Sequence, residues 1–140
     1  MTSIQELAMT LSTELRYLTL AVAATAMMWI PYVIARAMSN GSAAALGTPD
    51  PARMIETAWA KRSRMAHLNA VENLVLFAPL VLIAAVAGIS TPGTAFAAKL
   101  YLGARLVHYV VYTLGIPGIR TFAFLAGWVA TVMFVVAILF

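Results

Sequence analysis

Cysteine is absent from the 140 residues. That excludes a disulfide framework, a thiolate metal site and a cysteine nucleophile in the chain itself. Only two histidines are present, His67 and His108. Their separation leaves no zinc-ligand spacing, and no metal is expected. Charge is also scarce. Charged residues make up 10% of the chain, against about 25% in a soluble domain. A surface with so few charges is matched to lipid rather than water. The apolar–polar alternation of membrane β-strands is missing too. What is present is long apolar runs, with 63% hydrophobic residues and a mean hydropathy of +0.91. The net charge is +4, but the basic residues form no stripe with interleaved aromatics, so nucleic acid is not an expected partner.

Crossing a bilayer takes about 20 helical residues. Four segments qualify, at about 16–36, 64–89, 94–114 and 119–140. The last apolar run, Thr121–Phe140, carries no charge. Gly and Pro punctuate the chain between these runs. Ser39-Asn40-Gly41-Ser42 and Thr48-Pro49-Asp50-Pro51 follow the first, Gly88 to Gly93 the second, and Gly115-Ile116-Pro117-Gly118 the third. Short turns make neighbouring helices antiparallel. The expected fold is therefore all-α: one domain over residues 1–140, folded as a transmembrane four-helix bundle. Pro31 is expected to kink the first span. The long first connection is expected to hold a short interfacial helix over Ala52–Ala60. Glu6 and Glu14 against Arg16 make a poor signal-peptide start, so the first span reads as retained.

Basic residues set the orientation. Arg36, Arg53, Lys61, Arg62 and Arg64 sit in or beside the first loop, and Arg120 flanks the third. The second loop has none. Loops one and three are thus expected on the cytoplasmic side, in a multi-pass protein of a bacterial inner membrane.

The informative residues are polar ones inside the apolar spans, where each is costly and faces the bundle interior. Asn69, Glu72 and Asn73 share one face of the second span at i, i+3 and i+4, with Arg62 seven residues before Asn69. Arg105, His108, Tyr109 and Tyr112 form a similar stripe on the third. Glu72 and Arg105 both lie about 12–14 Å from the cytoplasmic surface, so they are expected to meet as an ion pair. A structural reading explains that pair as a register lock, with Asn69 and Asn73 as interhelical hydrogen-bond partners. It does not explain the rest of the stripe. Arg62, Asn69, His108, Tyr112 and Arg120 fit a cytoplasm-facing cavity with excess positive charge, suited to an anionic ligand.

Two stretches, Arg62-Ser-Arg-Met-Ala-His67-Leu-Asn69-Ala-Val-Glu72-Asn73 and Arg105-Leu-Val-His108-Tyr-Val-Val-Tyr112 on to Arg120, resemble the second-helix and third-helix motifs of a known family. This is MAPEG, the membrane-associated proteins in eicosanoid and glutathione metabolism. The resemblance implies a homotrimer of four-helix subunits, with glutathione bound as co-substrate between subunits near the cytoplasmic side. It implies that Asn69, Glu72, His108, Tyr112 and Arg120 contact glutathione, with Arg36 as a further contact and Arg105 supporting Glu72. Arg62 belongs with the structural support. The implied activity is a glutathione transferase or peroxidase acting on apolar electrophiles, with Arg120 stabilising the thiolate as the catalytic residue. Two positions depart from the pattern. Leu68 stands where some relatives have a second Arg, and Phe124 where some have a Tyr, while Thr121 offers a hydroxyl beside Arg120. The alternative is a non-catalytic membrane protein of the same fold that binds lipid or protein partners. A transporter or channel fits less well, because the polar stripe stops near Glu72 and Arg105.

Overall fold

Long apolar runs with few breakers fold as long helices. The computed structural model describes residues 11–48, 50 and 52–140; Glu6, Pro49 and Pro51 lie outside the described residues. Helix α1 runs over Thr13–Met27 and α2 over Ile30–Asn40. A short α3, Ser42–Leu46, follows, then α4 (Ala58–Val86), α5 (Pro92–Leu114) and α6 (Ile119–Leu139). There is no strand among the described residues.

Three helical stretches are long and apolar enough to cross a membrane: Thr13–Asn40, Ala58–Val86 and Ile119–Leu139. The fourth expected span, α5, has the length at 23 residues but carries Lys99, Arg105 and His108 and falls short in apolarity.

The packing is inverted relative to a soluble protein. Interior positions are held mostly by alanine, among them Ala21, Ala66, Ala70, Ala97, Ala98 and Ala130, all at most 3% exposed. Large apolar side chains point outward, as at Leu76, Val86 and Phe122. Small residues let helix backbones approach closely where no hydrophobic driving force exists between helices in lipid. The larger interior groups are few. Phe77 stacks on Tyr101 at 3.6 Å between ring centroids, and Phe134 meets Phe77 edge-on at 5.3 Å. This cluster joins α4, α5 and α6. Helix α5 packs most extensively on α6 and also touches α1 and α4, so it forms the centre of the arrangement.

Local chemistry explains the ends. Ser12 caps α1 by accepting from the Leu15 amide. Thr91 and Thr94 form a reciprocal capping box at the start of α5, with Pro92 in its first turn. Gly115, at φ 76°, ends α5 in the left-handed conformation that glycine tolerates. Helix α4 begins six residues before the expected start near Arg64. The heads of Arg62 and Arg64 find partners on this early turn. The Arg62 Nε donates to the Thr113 carbonyl at the end of α5, and Arg64 pairs with Glu56 at 3.1 Å.

Between α1 and α2 the helix breaks at Met28–Trp29, just before Pro31, whose ring nitrogen has no hydrogen to donate to the preceding turn. The expected helix over Ala52–Ala60 does not form. Ala52 and Arg53 make a turn, held by the Asp50 carboxylate accepting from the Ala52 amide, and helix resumes only at Ala58. Asn40 reaches across to the backbone of Ile55 with two 2.8 Å hydrogen bonds, which keeps this segment extended. Among the described residues the short helix of the connection is α3, in the alanine run before it.

Candidate functional site

The turn Gly115–Gly118 brings the C-terminal half of α5 beside the first turns of α6. Gly118, at φ 77°, opens α6, so Arg120 and Thr121 stand at its start. Facing them on α5 are His108 and Tyr112, one turn apart. These four and Phe124 line one pocket of about 250 Å³. The Arg120 guanidinium lies 4.7 Å from the Tyr112 ring centroid, a cation–π contact. Tyr112 in turn meets the His108 ring edge-on at 5.5 Å. His108 is 3% exposed, whereas Arg120 is exposed. The pocket thus has a buried imidazole wall and an exposed cation at its mouth.

Arg105 lies immediately behind this pocket. It is 3% exposed, and among the described residues no carboxylate pairs with it. Its Nη2 donates to the Phe124 carbonyl at 3.1 Å, and its Nη1 reaches Asn69 Oδ1 at 3.5 Å. The guanidinium carbon is 5.4 Å from both the Tyr101 and Phe124 ring centroids. Gly127 makes room for it: a Cβ there would stand 2.6 Å from the Arg105 Cζ. The buried Nε has no hydrogen-bond partner.

The expected Glu72–Arg105 ion pair is therefore not present. The interior face of α4 is set by Ala66, Ala70 and Phe77. Glu72 follows Ala70 by two residues, about 200° round the helix. It is exposed on the far side, beside the exposed Leu68, Val71, Val75 and Leu76. Equal spacing along two helices does not ensure contact, because rotation about the helix axis decides which way a side chain faces. Asn69 sits at the edge of the interior face and reaches Arg105, with Asn73 donating to its carbonyl at 2.8 Å. Arg36 lies on α2 and is not among the pocket-lining residues. Arg62 closes the end of α5 and packs against Gly115, where a Cβ would meet its Nε at 3.0 Å.

Two functions of polar residues were not visible in the spacing. Tyr109 belongs to the α5 stripe, yet it serves the helix break. Its hydroxyl donates to the Met28 carbonyl at 3.0 Å and accepts from Ser63 at 2.7 Å. Proline's known effect on the preceding turn was the available signal. Glu14, read only as a flanking charge, is 2% exposed. It accepts from Ser90 at 3.1 and 3.2 Å and from the Thr94 hydroxyl. No short-range pattern links residues so far apart in sequence.

The MAPEG family matches residues 16–140, the stretch that contains every helix after the first turn of α1. The chain belongs to the MAPEG family. No match was found among curated proteins or among solved structures. The MAPEG assignment and the three apolar helices together make the chain an integral membrane protein of the glutathione and eicosanoid kind. For a MAPEG protein the pocket has a usable chemistry. A free guanidinium, a threonine hydroxyl, a phenol and an imidazole converge on a space open at one side, which suits an anionic, hydrogen-bonding ligand.

Proposed function

We propose that the chain is a glutathione-dependent membrane transferase or peroxidase acting on apolar electrophiles, with Arg120 stabilising the glutathione thiolate. The observation that carries this reading is the single pocket shared by His108, Tyr112, Arg120, Thr121 and Phe124. Glutathione is anionic at neutral pH, and a cationic recess attracts it. It supplies a sulfur nucleophile whose reactive form is the thiolate. Lowering a thiol midpoint by two units takes about 2.7 kcal/mol of differential interaction, within reach of one cation in a partly desolvated site. Thr121 donates a hydrogen bond to the sulfur, while His108 and Tyr112 hold the peptide. The electrophile arrives from the lipid and the tripeptide from water.

The same reading includes a homotrimer of four-helix bundles. An exposed carboxylate on an apolar helix face is costly in lipid. Glu72 is such a group, and a second copy of the chain relieves it. In that assembly Glu72, Asn69 and Arg36 complete the glutathione site across the subunit boundary. Helix α5 makes the fourth crossing, its polar side turned inward. In this reading loops one and three, which carry the basic residues, face the cytoplasm of a bacterial cell.

The competing reading is a non-catalytic relative that binds lipid or protein. Leu68 and Phe124 favour it, since neither offers the polar group some relatives carry there. Calorimetric titration of detergent-solubilised protein with glutathione separates the two. Saturable binding that is lost in Arg120→Ala, together with loss of conjugation of a model aryl halide, supports the enzyme. No binding by the unaltered protein sinks it.

A further inference from the structure

Arg105 is a buried cation with no carboxylate beside it, and it sits under the pocket rather than in it. Phe124 is common to both: its ring centroid is 5.4 Å from the Arg105 guanidinium carbon, and the residue lines the pocket. The second shared element is His108, which lines the pocket, lies one turn beyond Arg105 on the same helix, and has its ring 6.2 Å from that of Phe124. The other groups that face Arg105 are neutral. They are Tyr101 on α5, Asn69 on α4, and the Phe124 carbonyl on α6. Within one chain Glu72 faces away, and Arg120 is the only other charged group that lines the pocket among the described residues; in the proposed trimer Glu72 and Arg36 of a neighbouring copy add one charge of each sign, whose effects on the thiol oppose each other.

An ion pair would cancel most of the field of a buried guanidinium. Two aromatic faces and one carbonyl do not cancel it. Neither can dissolved salt, which screens exposed charges but is excluded from the helix interior. The positive potential therefore extends through the Phe124 ring into the pocket. Gly127 makes this arrangement possible, because any side chain there would occupy the guanidinium's place.

We infer that Arg105 is a positioning residue for the pocket and acts by charge: unpaired beneath Phe124, it lowers the thiol midpoint of glutathione bound above without touching the sulfur. The inference rests on the glutathione reading. Its size follows from Coulomb's law. A unit charge about 10 Å away, at an effective dielectric near 20, shifts a midpoint by roughly one unit.

The test uses full-length protein in detergent, saturated with glutathione, with thiolate absorbance followed against pH. In Arg105→Gln the midpoint is expected to rise by about one unit, and the conjugation rate below the midpoint to fall about tenfold. Arg105→Lys keeps the charge and is expected to restore the midpoint to within a few tenths of a unit. Gly127→Ala keeps the arginine but crowds it, and is expected to shift the midpoint in the same direction by less. This third variant keeps the inference exposed if Arg105→Gln does not fold. An unchanged midpoint in Arg105→Gln or Gly127→Ala, with only thermal stability reduced, makes Arg105 a scaffold residue and overturns the inference. A lysine variant as impaired as the glutamine one also overturns it, since charge would then not be the agent. If unaltered protein shows no bound glutathione at all, the failure is that of the site, and the titration that detects it is separate from the Arg105 comparison.

Discussion

The two short turns that bound α5 treat charge in opposite ways. At its N-terminal end, Glu14 is buried and surrounded by hydroxyl donors from Ser90 and Thr94. The carboxylate lies beside the N-termini of α1 and α5, where helix dipoles favour a negative charge. Every polar group in that cluster has found its partner within the chain. At the C-terminal end, Arg120 is exposed and, among the described residues, is held only against the face of Tyr112. Its guanidinium donors remain available. The difference separates a charge that fastens helices from one that can receive a ligand: what matters is how much bonding capacity is left over, not how polar the neighbourhood is.

Three substitutions at the ends of α5, and one remote from both, test this contrast. The largest effect is expected from Arg120→Ala, a loss of about 100-fold in kcat/KM for glutathione conjugation with thermal unfolding in detergent nearly unchanged. A large drop in stability instead would make Arg120 another fastening residue and dissolve the contrast. Next is Glu14→Ala, expected to cost about 2 kcal/mol of stability, because it strands buried hydroxyls that had donated to a charged acceptor. Glutathione affinity of the folded fraction, measured by titration, should hold. Arg62→Ala removes the hydrogen bond to the Thr113 carbonyl and is expected to cost about 1 kcal/mol. If it also weakens glutathione binding, the end of α5 is part of the ligand site and not only its support. The smallest effect belongs to Arg53→Ala. Its pairing with Asp50 is solvent-exposed, and such pairs contribute little; no change in unfolding temperature or in turnover is expected.

Much of this was legible in the residue order. Gly and Pro located the turns at 88–93 and 115–118, and the stripe His108, Tyr112 and Arg120 led to residues that do share a pocket. The early start of α4 was hidden because Arg62 and Arg64 resemble loop residues until their partners, the Thr113 carbonyl and Glu56, are known. Glu72 faces outward for a more general reason. In a helix apolar nearly all round, hydrophobicity does not mark the inside. Residue size does, and Ala66 and Ala70 turned α4 so that Glu72 faced out. Glu14 was illegible for another reason. Its partners are 76 and 80 residues away, and only the folded chain brings them together.

The alanine-lined interior leads to an asymmetry in how this chain can change over generations. Of the twenty residues only glycine is smaller than alanine, so nearly every substitution at Ala66, Ala70, Ala97 or Ala130 adds atoms where helices already touch. The exterior has the opposite freedom, since one large apolar side chain serves lipid about as well as another. Sequence drift should therefore accumulate on the outside of the helices and be purged from the seams between them.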